Sequence, residues 1–286
     1  MQRRFKQVDV FTAEPLKGNP LAVVLDSNGL DTAAMQRFTD WTNLSEATFL
    51  AAPTRPEADY AVRIFCPGRE LPFAGHPTLG SCHAWLAAGG QPKAELIVQE
   101  CGVGLVRIRR DGERLAFAAP PLKKRGPLPE DDVQLIARGL GVGRSDIVAH
   151  AWCDNGPNWR GVLLKSAEQV LALKPDGGVL AGLDVGVVGP RGKVGVVAAR
   201  TPPYDTQFEV RAFFPGNNGM VEDPVTGSLN AALAQWLIGA GFAPPRYVAA
   251  QGAALNRAGR VFIEQIGDDI WVGGCSVTVI DGTVVL

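Results

Sequence analysis

The chain has 286 residues, 46% of them hydrophobic and 20% charged, with 28 basic against 29 acidic side chains. That length allows two domains of ordinary size, and that composition excludes disorder. A net charge of −1 with no basic run excludes the footprint of a nucleic-acid binder, and no apolar run reaches the roughly 18 residues of a membrane helix.

The chain opens with an alternating segment over residues 5–11, charged and without a signal core, so a cytoplasmic location is expected. Gly18-Asn19-Pro20 forms a turn before an apolar strand at 21–25. Asp31 caps a helix reaching about Trp41, with Ala34, Phe38 and Trp41 as its apolar stripe. Asn43-Leu44-Ser45-Glu46 links into a strand at 47–51, and a strand at 60–65 ends in the turn Pro67-Gly68. Residues 78–88 are apolar or small around the whole circumference, the pattern of a buried helix. Segments 95–101, 105–109 and 114–118 follow as a meander.

The Pro-rich, charged stretch 120–127 reads as a linker, which places a first domain over 1–118 and a second over 119–286. The second begins with a helix at 131–140. Gly156-Pro157-Asn158 leads into a strand at 161–164, and Ser166 caps a short helix. Strands are expected at 193–200 and 207–213, a second buried helix at 228–240, and a β-rich end over 259–265 and 269–280.

One segment occurs twice. A shift of 147 carries His76-Pro77 onto Asp223-Pro224 and Gly80-Ser81 onto Gly227-Ser228, while the lead-in strands Arg63–Gly68 and Arg211–Gly216 match at a shift of 148. The repeat predicts two pseudo-symmetric halves, each with a β-sheet wrapped around one central helix. Mixed and antiparallel sheets are expected, because the strands and helices lack a βαβ rhythm. The fold class is therefore α+β. In each half a helix N-terminus, with free N–H groups and a positive dipole end, opens from a polar loop and suits a carboxylate.

Each chemistry-bearing residue has a bland reading beside its functional one. Glu46 is either an exposed strand start or a carboxylate carried to a cavity edge, where burial would tune it as a general acid/base. His76 and Asp223 each precede a proline, which holds a residue extended; His76 is either a cap or satisfied core histidine, and Asp223 a cap or dipole partner, or the two bracket a substrate. Ser228 is an N-cap, or with Gly227 a grip for a carboxylate. Gly75 and Gly80 would let a ligand approach closely. Arg63 and Arg211 read as ion-paired, Glu222 as a support for Asp223 or merely solvated. The five cysteines are scattered without a C-x-x-C pair, and with three dispersed histidines they offer no metal site. There is no phosphate- or dinucleotide-binding glycine motif, so no cofactor is indicated.

Gly18-Asn19-Pro20 after Asp9-Val10-Phe11, Asn43-Leu44-Ser45-Glu46-Ala47-Thr48-Phe49, Phe73-Ala74-Gly75-His76-Pro77-Thr78 and Glu222-Asp223-Pro224-Val225-Thr226-Gly227-Ser228 occur in that order. Together with Gln251-Gly252 and Gly259-Arg260-Val261 they resemble the phenazine-biosynthesis PhzF family over nearly the whole chain. The resemblance implies a diaminopimelate-epimerase-like fold, a homodimer, and a last strand, about 277–286, that returns to the first domain. It implies Glu46 as the acid/base and His76, Asp223 and Ser228 as substrate contacts. The implied reaction is isomerisation of a dihydro-hydroxyanthranilate-type carboxylate by moving a proton, without cofactor, at the cleft between domains. The alternative is a member of the same fold that binds a small carboxylate without catalysis, or performs a lyase or epimerase reaction. The related epimerase uses a cysteine pair in the two helix-leading loops; here neither loop core holds a cysteine, which departs from two-thiol chemistry.

Overall fold

The computed structural model describes residues 1–192, 205–216 and 219–286, so the strand expected over 193–200 lies outside the described residues. By contact the chain divides into two compact units, Met1–Ala118 with Gly273–Leu286, and Ala119–Val272.

The first unit runs β1 (Gln2–Val10), β2 (Asn19–Val24), α1 (Thr32–Thr42), β3 (Ala47–Ala51), β4 (Tyr60–Cys66), β5 (Arg69–Leu71), α2 (Gly75–Ala87), β6 (Ile97–Cys101), β7 (Gly104–Asp111) and β8 (Arg114–Ala118). The second runs α3 (Glu130–Leu140), β9 (Ile147–Asp154), β10 (Asn158–Leu164), α4 (Ala167–Ala172), β11 (Val185–Pro190), β12 (Phe208–Gly216), β13 (Gly219–Asp223), α5 (Gly227–Gly239), β14 (Arg246–Gln251) and β15 (Gly259–Ile266). Strand β16 (Asp269–Gly274) crosses the unit boundary, and Cys275 separates it from β17 (Ser276–Val285) where one β-rich end was expected.

The pairing repeats step for step. In the first unit β1–β2 is antiparallel, β2–β3 parallel, β3–β4 antiparallel, β4–β5 antiparallel and β4–β6 parallel. In the second, β9–β10, β10–β11, β11–β12, β12–β13 and β12–β14 follow in the same senses. Each unit is thus a mixed sheet rolled about one helix, α2 or α5, as the all-round apolar composition of those helices requires. Every residue of α2 from Gly75 to Cys82 is buried. Gly80 allows this, because a Cβ there would stand 2.6 Å from Leu21 Cδ2 and 2.9 Å from Val10 Cγ2. Its role is helix-to-sheet packing, not the ligand approach expected of it.

On the other face of each sheet lies a shorter helix. In the first unit Met35 and Phe38 of α1 pack with Ala22, Val24, Phe49 and Phe65. Asp31 caps α1 through the Ala34 N–H at 2.7 Å. Trp41 departs from the expected stripe: it is 77% exposed and stacks on Phe38. In the second unit α3 and α4 supply Val133, Ile136, Leu140 and Val170 to a cluster with Val162, Val185 and Phe213.

Two expectations about the repeat need correction. Pro67-Gly68 is a turn, whereas Pro215 and Gly216 lie inside β12, because the second hairpin closes later, at Gly216↔Gly219 instead of Cys66↔Arg69. The register beyond the hairpin therefore shifts. Ile64 pairs with Leu71, and its counterpart Ala212 pairs with Asp223. Arg63 meets Glu70 at 2.6 Å and Arg211 meets Glu222 at 2.7 Å, each guanidinium also lying over a phenylalanine two residues on. In structure Glu222 matches Glu70 and Asp223 matches Leu71, so Asp223 is not the counterpart of His76. Both central helices also start earlier than expected, at Gly75 and Gly227. Hence His76 is inside the first turn of α2 rather than extended before it. Pro77 permits this, since first-turn N–H groups have no helical partner to lose.

Candidate active site

Glu46 stands between α1 and β3. Asn43 ends α1 in a left-handed conformation, and three residues later Ala47 enters β3 opposite Phe65. That path carries the Glu46 side chain inward to 16% exposure, so the reading as an exposed strand start fails. Its Oε2 lies 3.4 Å from Nε2 of His76, within ion-pair range although not aligned as a regular hydrogen bond.

His76 is the second residue of α2 and is 4% exposed. Burial drives its pKa down to about 3, so the ring is neutral throughout the physiological range. Its Nδ1 lies 3.3 Å from Asn19 Nδ2. Asn19 is fully buried at the start of β2. The turn before it is fixed by Asp9, whose Oδ2 accepts the Gly18 N–H at 3.0 Å. Gly18 is required there, because a Cβ would stand 2.2 Å from the Val10 carbonyl oxygen. His76 is no cap: the N-cap position belongs to Ala74, and no side chain caps this helix.

In the second unit Asp223 ends β13 and is buried. Its Oδ2 accepts the Thr226 hydroxyl at 2.6 Å. Gln251 ties this loop together: its Oε1 accepts the Thr226 N–H at 3.0 Å, and its Nε2 donates to the Asp223 carbonyl at 3.1 Å and to Thr226 Oγ1 at 2.9 Å. Asn230 donates to Gln251 Oε1 as well. Ser228 is the second residue of α5; Thr226 takes the N-cap position and caps with no side chain. The reading of Ser228 as the N-cap therefore fails. Ser228 Oγ accepts the Trp159 indole N–H at 3.2 Å, and its carbonyl accepts Asn155 Nδ2 at 2.9 Å.

In helix terms His76 and Ser228 are the true counterparts, each the second residue of its central helix. Each is held by a residue at the start of its unit's second strand, Asn19 for His76 and Trp159 for Ser228. Glu46, His76 and Gly75 belong to the first unit and Asp223, Gly227 and Ser228 to the second. Asn19, Trp159, Thr226 and Gln251 were not singled out as site residues from sequence. Asn19 and Gln251 stood inside quoted motifs without a role; Trp159 had no signal at all.

Among the described residues no group of three or more His, Cys, Asp or Glu is placed to hold a metal, and no helix is long and apolar enough to cross a membrane. Cys66, at the end of β4, has its thiol pushed up, mainly by burial and further by the Glu46 charge.

Repeated mixed sheets, each rolled on a helix whose first turn bears a buried polar side chain, define the diaminopimelate-epimerase-like class. The sequence signature of the phenazine biosynthesis-like proteins matches residues 8–282, and the chain belongs to that family and is an isomerase. It is 31% identical to the trans-2,3-dihydro-3-hydroxyanthranilate isomerase of Pseudomonas fluorescens, over 98% of each chain. It is 34% identical, again over 98% of each, to antisense-enhancing sequence 1 of Schizosaccharomyces pombe. A PhzF-family crystal structure from Enterococcus faecalis superposes with a TM-score of 0.79 at 26% identity, covering all of both chains.

Proposed function

We propose that this protein is a cofactor-independent isomerase that moves a proton between carbons of a small conjugated carboxylate, of the dihydro-hydroxyanthranilate type. The observation that carries this reading is the Glu46 carboxylate drawn inward against a buried, neutral histidine. A carboxylate so placed takes a proton from a ring carbon, leaving the electron pair spread over the conjugated system. It then returns the same proton to another carbon, and the double bonds shift between. The first turn of α5, with Gly227 and Ser228, would hold the substrate carboxylate. Ser228 Oγ already accepts from Trp159 and keeps its own hydroxyl hydrogen to donate. His76, Gly75 and Asp223 would orient the polar substituents and steady the charge that develops. The two half-sites would serve one substrate molecule at the cleft between the domains, in a cytoplasmic homodimer. The named isomerase relatives support the substrate class.

The test is Glu46→Gln, which keeps the shape of the side chain and cannot carry a proton. Turnover of a dihydro-hydroxyanthranilate should fall by about 10²–10⁴ while ligand binding stays near normal. Near-full turnover in the variant would be decisive against Glu46, and a wild type that binds but never isomerises would overturn the reading.

A further inference from the structure

We infer that Asn19 is a positioning residue: its amide locks His76 in the tautomer with the proton on Nε2, facing Glu46 Oε2, so that Glu46 and not His76 carries the proton in turnover. The role assigned to Glu46 rests on the proposed function; the tautomer does not.

The argument is one of donors and acceptors. His76 has two ring nitrogens, one 3.3 Å from the Asn19 amide and the other 3.4 Å from the Glu46 carboxylate. A neutral imidazole offers one donor and one acceptor. A carboxylate only accepts, so the nitrogen facing it must carry the hydrogen. Nδ1 is then a bare lone pair in a buried site, and it needs a donor. Asn19 Nδ2 supplies one. With the amide reversed, the hydrogen would sit on Nδ1 and the Nε2 lone pair would face the carboxylate, setting two acceptors against each other. With the amide reversed in this way, the imidazolium form would satisfy both neighbours, but burial disfavours it. Asn19 itself has no freedom to turn away, since it is fully buried and its turn is anchored on Asp9. The consequence is a division of labour. His76 keeps its Nε2 hydrogen facing the carboxylate and exchanges no proton, and Glu46 is the sole carrier.

The experiment observes the ring nitrogens of His76 by two-bond proton–nitrogen correlation in uniformly ¹⁵N-labelled protein at neutral pH. Three histidines are present, and His76→Gln identifies the relevant signals by their loss. In the wild type Nδ1 should appear pyridine-like and Nε2 pyrrole-like. In Asn19→Asp the new carboxylate faces Nδ1 and should draw the proton to it, turning Nδ1 pyrrole-like. That variant should also lose kcat by about tenfold or more with KM little changed, as expected when a group that fixes a histidine's tautomer is inverted. A wild-type His76 protonated on Nδ1 would overturn the inference without needing any variant to fold. An unchanged Nδ1 signal in Asn19→Asp would do the same. Full turnover in Glu46→Gln beside the expected nitrogen pattern would instead strike only the proposed function.

Discussion

His76 is held uncharged by burial, and this has a price in acid. Its folded-state pKa of about 3 lies below the ordinary value of 6.5 for the unfolded chain. The unfolded state therefore binds the proton first. The stabilisation is fully present above pH 6.5 and is lost as the pH falls from 6.5 towards 3. Between pH 7 and pH 4.5 this one side chain should cost about 2–3 kcal/mol of stability. His76→Asn cannot be charged, so its loss over the same interval should be smaller by about that amount, read from urea unfolding at the two pH values. An equal loss in both proteins would show that the ring is not held neutral. At this scale much of the candidate site was legible, because Glu46, His76, Asp223 and Ser228 sit in short motifs with turn and helix-start chemistry around them. Their supports were not. Trp159 reaches Ser228 from 69 positions away and Gln251 reaches Thr226 from 25, and no local pattern encodes such pairings.

The β1–β2 turn is the element on which the first half-site hangs. Gly18→Ala places a Cβ 2.2 Å from the Val10 carbonyl and 3.0 Å from Asp9 Oδ1, so the turn must move and carry Asn19 with it. The expected cost is about 1–3 kcal/mol, measured by chemical denaturation, with kcat falling as well. At Gly239, the end of α5, a Cβ would have nothing within 4 Å, and Gly239→Ala should instead be neutral or stabilising by up to about 1 kcal/mol. Element types were readable where the period was clear, as in the two central helices and the strands on either side of them. The internal register was misread. Matching Pro67-Gly68 to Pro215-Gly216 is sound in sequence, but the longer β12–β13 hairpin inserts residues that no composition signal marks. The likeness of His76-Pro77 to Asp223-Pro224 then drew the alignment to the wrong helix position.

At the scale of the whole molecule, the first unit is discontinuous in sequence. Strand β17 pairs with β1 from Gln2↔Val285 to Val10↔Ser276. Val284 and Leu286 pack against the α1 cluster, and the Met1 amino group donates to the Leu286 carbonyl. Truncation after Gly274 removes that whole ladder. The first unit should then lose its native packing while the second persists, so limited proteolysis should leave a protected fragment of about residues 119–272. Survival of a protected fragment covering the first unit would contradict this.

The same discontinuity sets an order of events during synthesis. When Ala118 leaves the ribosome, the first unit still lacks β17, the strand that covers the outer edge of β1, and the end of β16. At about 5–20 residues per second, that strand follows roughly 10–30 s later. The second unit, encoded in between, can fold completely in the interval. A nascent chain would thus carry a finished second half beside an uncovered β1 edge, and chaperone demand should concentrate on that edge until the last strand arrives.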